Sequence, residues 1–361
     1  MHDEPRGCCD PAERALLNKR EALALLLAAA RPVTESETIA TEDALGRVLA
    51  RSVTSAIDVP AWDNSSMDGY AVCTADLTDP EARLRVAQRI PAGAIGLPLE
   101  PGTAARIFTG APVPPGTDAV VIQEVCARDG DWVGVPAAGI APGANIRRAG
   151  EDIQTGAEVI APGTRLGPQH LGLAASVGAA NLQVYRRLRV AIFSSGDELV
   201  MPGEPLAPGR IYNSNRFTLI GLLRGLGCDV LDLGQVPDTL EATVEALDRG
   251  GRVADLVVAS GGVSVGEEDH VKPAVERLGT LALWKIAIRP GKPLAFGHIG
   301  ATPFLGSPGN PVSLFATFCL FARPFILRLQ GVTGELTPPR LKVRAGFDWP
   351  SPDHRREFQR A

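Results

Sequence analysis

Apolar positions keep two different rhythms along the chain, and the changes between them divide the sequence. Near the N-terminus Leu16, Leu17, Leu23, Leu26 and Leu27 fall on one face of a 3.6-residue repeat. They predict a helix over Glu13–Ala30, with Asp10-Pro11 as its cap and first-turn proline. A second helix is expected over Glu42–Ala50. From Val53 to Arg148 the helical spacing gives way to short β-type runs, Leu84–Ile90, Ala104–Phe108 and Ala119–Val125, set between Pro/Gly turns. Helical texture returns around Gln169–Ser176. Helical pieces on either side of a β-rich stretch predict a discontinuous domain, 10–53 and 149–187, with a β-rich module, 54–148, inserted into it.

From Leu188 onward the alternation becomes regular. Arg189–Ser194, Asp229–Leu233, Leu256–Ala259, Leu283–Ile288 and Leu294–Phe296 read as strands. Asn215–Leu226, Leu240–Asp248, Val271–Leu278 and Pro311–Leu329 read as helices. That order predicts a doubly wound α/β domain over 188–329, and so a multi-domain α/β protein. In such sheets ligands sit at the carboxyl ends of the strands. The ends here read SSGDE, GQVPD, SGGVSVG, IRPGKP and SPGNP, all rich in Gly, Pro or polar residues, as a phosphate cradle requires. Residues 330–361 open a new β-like region, LKVRAGF and then RREFQRA. Roughly 30 residues cannot hold a core by themselves, so this region is expected to be the start of a further domain.

Composition narrows the class without naming a chemistry. With 45% apolar and 21% charged residues the chain reads as globular. A net charge of −5 argues against a general nucleic-acid binder but leaves room for an anionic ligand in a locally basic pocket. The apolar runs Ala22–Ala30 and Val312–Ala322 fall short of the roughly 20 residues that span a bilayer, so no membrane partner is expected. The acidic, polar start is unlike a signal peptide. Six cysteines without a CxxC pair, and five histidines without zinc spacing, predict free thiols in a reducing, cytoplasmic setting.

Three features carry chemistry. The first is Ser260–Gly266, SGGVSVG, where Gly261 and Gly262 follow a buried strand and would let the backbone approach an anion. The same segment fits G-x-S-x-G, so it also reads as a nucleophile elbow using Ser264, with His298 as a base, or as a structural turn. The second is a set of acids at turns and strand ends: Asp68, Asp152, Glu198, Asp238 and Asp269. Each alone suits a cap or a turn. Gathered together, they would repel by about 4 kcal/mol per pair at an effective dielectric near 20, and would need a divalent metal or shared protons. Oxygen ligands beside phosphate point to Mg²⁺. The third is Lys285, Arg289 and Lys292 around a Pro-Gly turn, either a solvated surface run or a phosphate grip. Asn310 and Ser313 in SPGNPVS follow, at the start of the last long helix. The segment FTGAPVPPGTDAVV, which holds Thr109, reads by its chemistry only as a proline-set hairpin.

Taken in order, eight motifs resemble the bacterial molybdopterin molybdenumtransferases and the related C-terminal domain of gephyrin. They are DVPAWDNSSMDGYAV, IFTGAPVPPGTDAVV, IRRAGEDI, SSGDELV, GRIYNSNR, SGGVSVGEEDHVK, IAIRPGKPLAFG and SPGNPVS. The resemblance implies Mg²⁺-dependent insertion of molybdate into adenylylated molybdopterin with release of AMP. It also implies a homodimer with its cleft at the subunit interface, and the adenylyltransferase of the preceding step as a further partner. It marks Asp68, Thr109, Asp152, Glu198, Asp238 and Asp269 as catalytic, with Glu198, Asp238 and Asp269 on the metal. Substrate contacts fall on Ser195, Gly196, Gly261, Gly262, Ser264, Pro308, Asn310 and Ser313. Lys285 and Arg289 match phosphate-holding positions; Arg289 stands where lysine is common. Lys292 and Pro293 match an oxyanion site that Arg355 would complete. An adenylyltransferase-like enzyme, a gephyrin-type scaffold and a serine hydrolase are the alternatives.

Overall fold

The computed structural model describes residues 16–263, 269–344, 346–348 and 355–359. Contacts divide the chain into two compact units. One comprises Met1–Arg51, Pro162–Gly167 and Leu182–Ala361; the other comprises Ser52–Ala161 and Pro168–Asn181. The β-rich insert expected over 54–148 falls inside the second unit, which extends past it on both sides.

The first unit is built on a six-stranded sheet. Its order is Asp229–Val236, Arg189–Ser195, Leu256–Ser260, Thr302–Ser307, Pro293–Ile299 and Gly279–Lys285. The first four strands are parallel and the last two join antiparallel. Side-chain alternation explains the two layers of helices. Val190, Ile192, Leu256 and Val258 face one way, against Leu219 and Leu223 of the helix Ser214–Gly225, against Phe318, Phe321 and Phe325, and against Ala22 and Leu26. Ala191, Phe193, Val257 and Ala259 face the other way, against Ala246 and Leu247 of Leu240–Val253 and Val271, Ala274 and Val275 of Val271–Leu278. A strand buried on both faces must be apolar throughout, which is why these runs lack the apolar–polar alternation of the β-rich unit.

The helix Pro311–Leu329 is long and apolar enough to cross a membrane by length and composition. It is instead a core helix, with Leu314, Phe318, Phe321, Phe325 and Ile326 packed under the sheet. A π turn at Phe318–Ala322 interrupts it, just before Pro324.

Several local expectations change. Asp10 and Pro11 lie outside the described residues, and the first helix runs Lys19–Ala29. Asn18 caps it, in a reciprocal box with Glu21. It cannot extend back through Leu17, whose carbonyl accepts the Ala287 amide at 2.9 Å. Glu42–Ala50 is not a helix but a single 3-10 turn, Thr41–Ala44. Gly46 turns left-handed at φ +75°, and the Leu49 amide is drawn to Thr164 O at 2.9 Å. The β-like reading of 341–347 is not realised at 341–344, which carries no strand. Arg356–Glu357 does pair, parallel to Ile288–Arg289.

The second unit holds another six-stranded sheet, ordered Ala119–Ile122, Gly69–Val72, Thr103–Ile107, Glu81–Ile90, Trp132–Pro136 and Ala127–Asp129. Tyr70, Val72, Leu84, Ala104, Val121, Val133 and Val135 fill one side. Ala71, Ile90, Ala105, Ile107 and Val120 fill the other.

Candidate active site

Four parallel strands of the first unit end at Ser195, Val236, Ser260 and Ser307, and the residues that follow them surround a hollow of about 490 Å³. Ser195, Gly196, Glu198, Asp238, Gly261, Gly262, Asp269, Pro293, Pro308, Asn310 and Ser313 all line it. Residues scattered over more than a hundred positions meet because their strands share one direction and one sheet.

Glycine is required at the rim. Gly261 sits at φ +89°, and a Cβ there would lie 2.3 Å from Ser195 O, inside a backbone contact that cannot yield. Gly196, at φ +149°, would place a Cβ 2.6 Å from Glu198 Oε2. The Gly261 loop is tied to the end of the neighbouring strand Thr302–Ser307, as the Gly261 amide donates to Ser307 O at 3.2 Å.

Asp238 is held in place. Its Oδ1 accepts from Ser195 Oγ at 2.5 Å and its Oδ2 from the Asp197 amide at 2.8 Å. Gln235 Nε2 braces the loop opposite, donating to Gly196 O at 2.8 Å and Leu199 O at 3.1 Å. Asn310 Oδ1 is committed as a helix cap, accepting from the Ser313 amide at 3.0 Å ahead of Pro311. Three carboxylates thus face one hollow whose described lining holds no lysine or arginine. Among the described residues no three His, Cys, Asp or Glu side chains form a ready-made metal cage. The donor set is hard oxygen only, which suits Mg²⁺; that ion usually takes one or two protein carboxylates and completes its shell with water and substrate phosphate.

The expected basic residues lie elsewhere. Lys285 closes the edge strand Gly279–Lys285, four strands from the one that leads to Glu198. At about 4.8 Å per strand that is on the order of 20 Å. Arg289 pairs with the Arg356–Glu357 strand and faces Glu357 Oε1 at 3.4 Å. Lys292 lies in the turn between, where its carbonyl accepts the Ile286 amide at 2.9 Å. The segment that begins at Arg355 runs along the same turn: the Arg356 amide donates to Ala287 O at 3.2 Å and the Phe358 amide to Arg289 O at 2.7 Å. The cationic positions therefore form a second cluster, reaching the hollow through Pro293.

Ser264 lies outside the described residues. His298, its suggested base, is at the far end of Pro293–Ile299 and lines a different hollow with Arg31 and Asp255. Five residues of strand put it about 16 Å from Pro293, because that strand runs away from the acid-lined end. Burial and Arg31 hold its pKa below the ordinary histidine value.

In the second unit Asp68 and Thr109 meet. Asp68 Oδ1 accepts from the Thr109 amide at 2.9 Å and from its hydroxyl at 2.8 Å, which hold the carboxyl below the usual range. Gly69 beside it admits no side chain, since a Cβ would fall 2.1 Å from Val121 O. Asp152 is ion-paired with Arg147.

Sequence reasoning missed three polar residues of the lining. Asn213, Asn215 and Ser260 are at least nine-tenths buried, and all face the hollow's surroundings. The motif GRIYNSNR carried the two asparagines, but their side chains bond to residues far along the chain, Ser194, Ser260 and Gly309, which a linear pattern does not reveal.

A doubly wound sheet with an acid-lined, glycine-rimmed hollow at its strand ends defines an α/β domain of the small-ligand-binding kind. Comparisons with known proteins sharpen that class. Residues 17–178 match the model of the MoeA N-terminal region (domains I and II), and residues 191–328 match a probable molybdopterin-binding domain. The molybdopterin molybdenumtransferase of Haemophilus influenzae is 43% identical over 328 residues, covering 91% of this chain and 81% of that protein. Molybdopterin molybdenumtransferase 2 of Mycobacterium tuberculosis is 39% identical over 363 residues, covering 96% and 87%. The crystal structure of a molybdopterin biosynthesis MoeA protein from Pyrococcus horikoshii OT3 superposes with a TM-score of 0.76 at 30% identity, covering 88% of this chain and 80% of that one. The chain belongs to the molybdopterin molybdenumtransferase family.

Proposed function

We propose that this chain is the transferase that inserts molybdenum in molybdenum-cofactor synthesis: adenylylated molybdopterin and molybdate give Mo-molybdopterin and AMP. Its relatives are named molybdopterin molybdenumtransferases, which supports the insertion of molybdenum. The observation that carries the finer reading is the convergence of Glu198, Asp238 and Asp269 on one glycine-rimmed hollow with no lysine or arginine among its described lining residues. A pyrophosphate entering among carboxylates meets repulsion of about 4 kcal/mol per close pair at an effective dielectric near 20. A divalent cation removes that barrier.

Mg²⁺ bound by one or two of these acids would neutralise the pyrophosphate and polarise its phosphorus. The chain's own groups position the substrate. Ser195 and the Asp197 amide fix both oxygens of Asp238, so its charge is presented in one orientation. Gly261 and Gly262 let backbone amides reach the phosphates. Lys285 and Arg289 take the terminal phosphate, and Lys292, Pro293 and Arg355 take the tetrahedral oxyanion of molybdate. Asp68, Thr109 and Asp152 act in the homodimer. No side-chain nucleophile is needed, because this chemistry is mostly charge stabilisation and orientation. The setting is cytoplasmic, in keeping with free thiols at Cys73, Cys126, Cys228 and Cys319.

The test is turnover: purified protein with adenylylated molybdopterin and molybdate, AMP followed over time, with and without Mg²⁺. Mg²⁺-dependent AMP release is the expected result. AMP release that persists unchanged in a chelator would remove the metal from this reading.

A further inference from the structure

We infer that Asn215 is a positioning residue that sets the width of the hollow by tying its two glycine loops together; this rests on the substrate reading above. Asn215 stands in the first turn of the helix Ser214–Gly225 and is 9% exposed. Its Nδ2 donates to Ser260 Oγ at 3.0 Å and to Gly309 O at 2.7 Å. Ser260 opens the SGG loop and Gly309 lies in the SPGN loop, and both line the hollow.

The orientation of the amide follows from its partners. A carbonyl oxygen only accepts, so the atom facing Gly309 O is the NH₂, and both of its hydrogens are used. Asn215 Oδ1 is then left buried without a hydrogen-bond partner among the described residues. One side chain on the helix thus reaches both loops, through Ser260 Oγ and Gly309 O. The neighbouring Asn213 fixes the helix start, its Oδ1 accepting from the Arg216 amide at 3.2 Å, so the brace hangs from a rigid element.

Asn215's ties do not touch the bonds that hold Asp238, which run to Ser195 and Asp197. Loosening the brace should therefore weaken the grip on the phosphate-bearing part of the substrate more than the chemical step. The probe is AMP. Asn215→Ala should raise the Kd for AMP and the KM for adenylylated molybdopterin about tenfold, the weight of one or two neutral hydrogen bonds, with kcat within about twofold. Ser260→Ala removes one tie and keeps the amide, and should raise both about threefold. Gln330→Met is the matched control. It deletes another buried amide bond, from Gln330 Nε2 to Leu226 O at 2.9 Å, and should lower Tm without moving Kd or KM.

Calorimetric titration with AMP, steady-state kinetics and Tm on the same four proteins decide the matter. Asn215→Ala with unchanged Kd and KM overturns the brace. So does a Gln330→Met variant that loses AMP affinity to the same degree, because the effect would then be general loosening. If Asn215→Ala does not fold, an unchanged Ser260→Ala overturns it. Failure of the wild-type protein itself to bind AMP sinks the substrate reading, and the brace's role with it.

Discussion

The two units put identical acid chemistry to different use. In the β-rich unit carboxylates clamp loops. Asp58 Oδ1 accepts from the Thr155 amide at 2.7 Å and its hydroxyl at 2.9 Å, and Asp68 Oδ1 holds Thr109 in the same two-bond manner. Asp63 accepts from the Ala149 amide at 2.9 Å. In the α/β unit Asp238 is instead oriented by a serine and an amide at the edge of a shared hollow, with Glu198 and Asp269 on the same lining. Local bonding does not separate a structural acid from a working one. Asp58 and Asp68 share a geometry, yet the family resemblance marks only Asp68 as catalytic. What separates the α/β acids is convergence from different strands.

The contrast breaks most sharply at Asp238. Asp238→Asn keeps an acceptor for Ser195 but removes the charge, and AMP release should fall about a thousandfold with an unchanged circular-dichroism spectrum and oligomeric state. Residual turnover above a tenth of wild type would return Asp238 to the class of loop clamps.

Glycine rims give the next largest effect. Gly261→Ala meets both a left-handed φ and Ser195 O, and should cost about 3 kcal/mol in denaturant unfolding. Gly110→Ala, at φ +82° with open space around it, should cost only about 1–2 kcal/mol. Equal losses would mean that the close approach in the α/β unit carries no weight.

The paired clamps sharpen the comparison. Asp68→Asn should lower turnover about a hundredfold, the low end for removal of a positioned proton-handling group, while Asp58→Asn leaves turnover intact. If kinetic assays of the two variants agree, Asp68 is a clamp only.

The smallest effect is on acid stability. The Thr155 and Thr109 amides, with their hydroxyls, hold Asp58 and Asp68 below the ordinary 3.8. A depressed folded value favours the native state above the unfolded value, and that contribution is lost as pH falls through the lowered one. Thermal melts from about pH 5 down to about pH 2 should show a shallower acid limb in Asp58→Asn than in wild type. An unaltered limb would mean the clamp adds nothing.

Much of the α/β unit was legible in the sequence. The strands Arg189–Ser195 and Leu256–Ser260 are apolar throughout because helices cover both faces, and the pattern alone places them within a residue. The strand Thr302–Ser307 went unread, since Pro303 and Gly306 look like breakers. The structure admits both. Pro303 precedes the first residue paired with Leu256–Ser260, so its missing amide is not needed there. Gly306 sits where a Cβ would press Val263 and Ala295 at 2.6 and 2.9 Å. The candidate acids and cations were legible as motif residues, but not which of them share a hollow. Spacing along Lys285, Arg289 and Lys292 said nothing of the three strands between Lys285 and the one that leads to Glu198.

The sequence by itself determined the element order of the α/β layer, the glycines at its loops and the family to which the chain belongs. Each is written in local pattern or ordered motif. Only the tertiary structure decided which loops share a hollow, that Asp238 is oriented by Ser195, and that Asn215 bridges Ser260 and Gly309. Those facts depend on strand order and direction, and a chain fixes them only when burial of both sheet faces selects one packing among many.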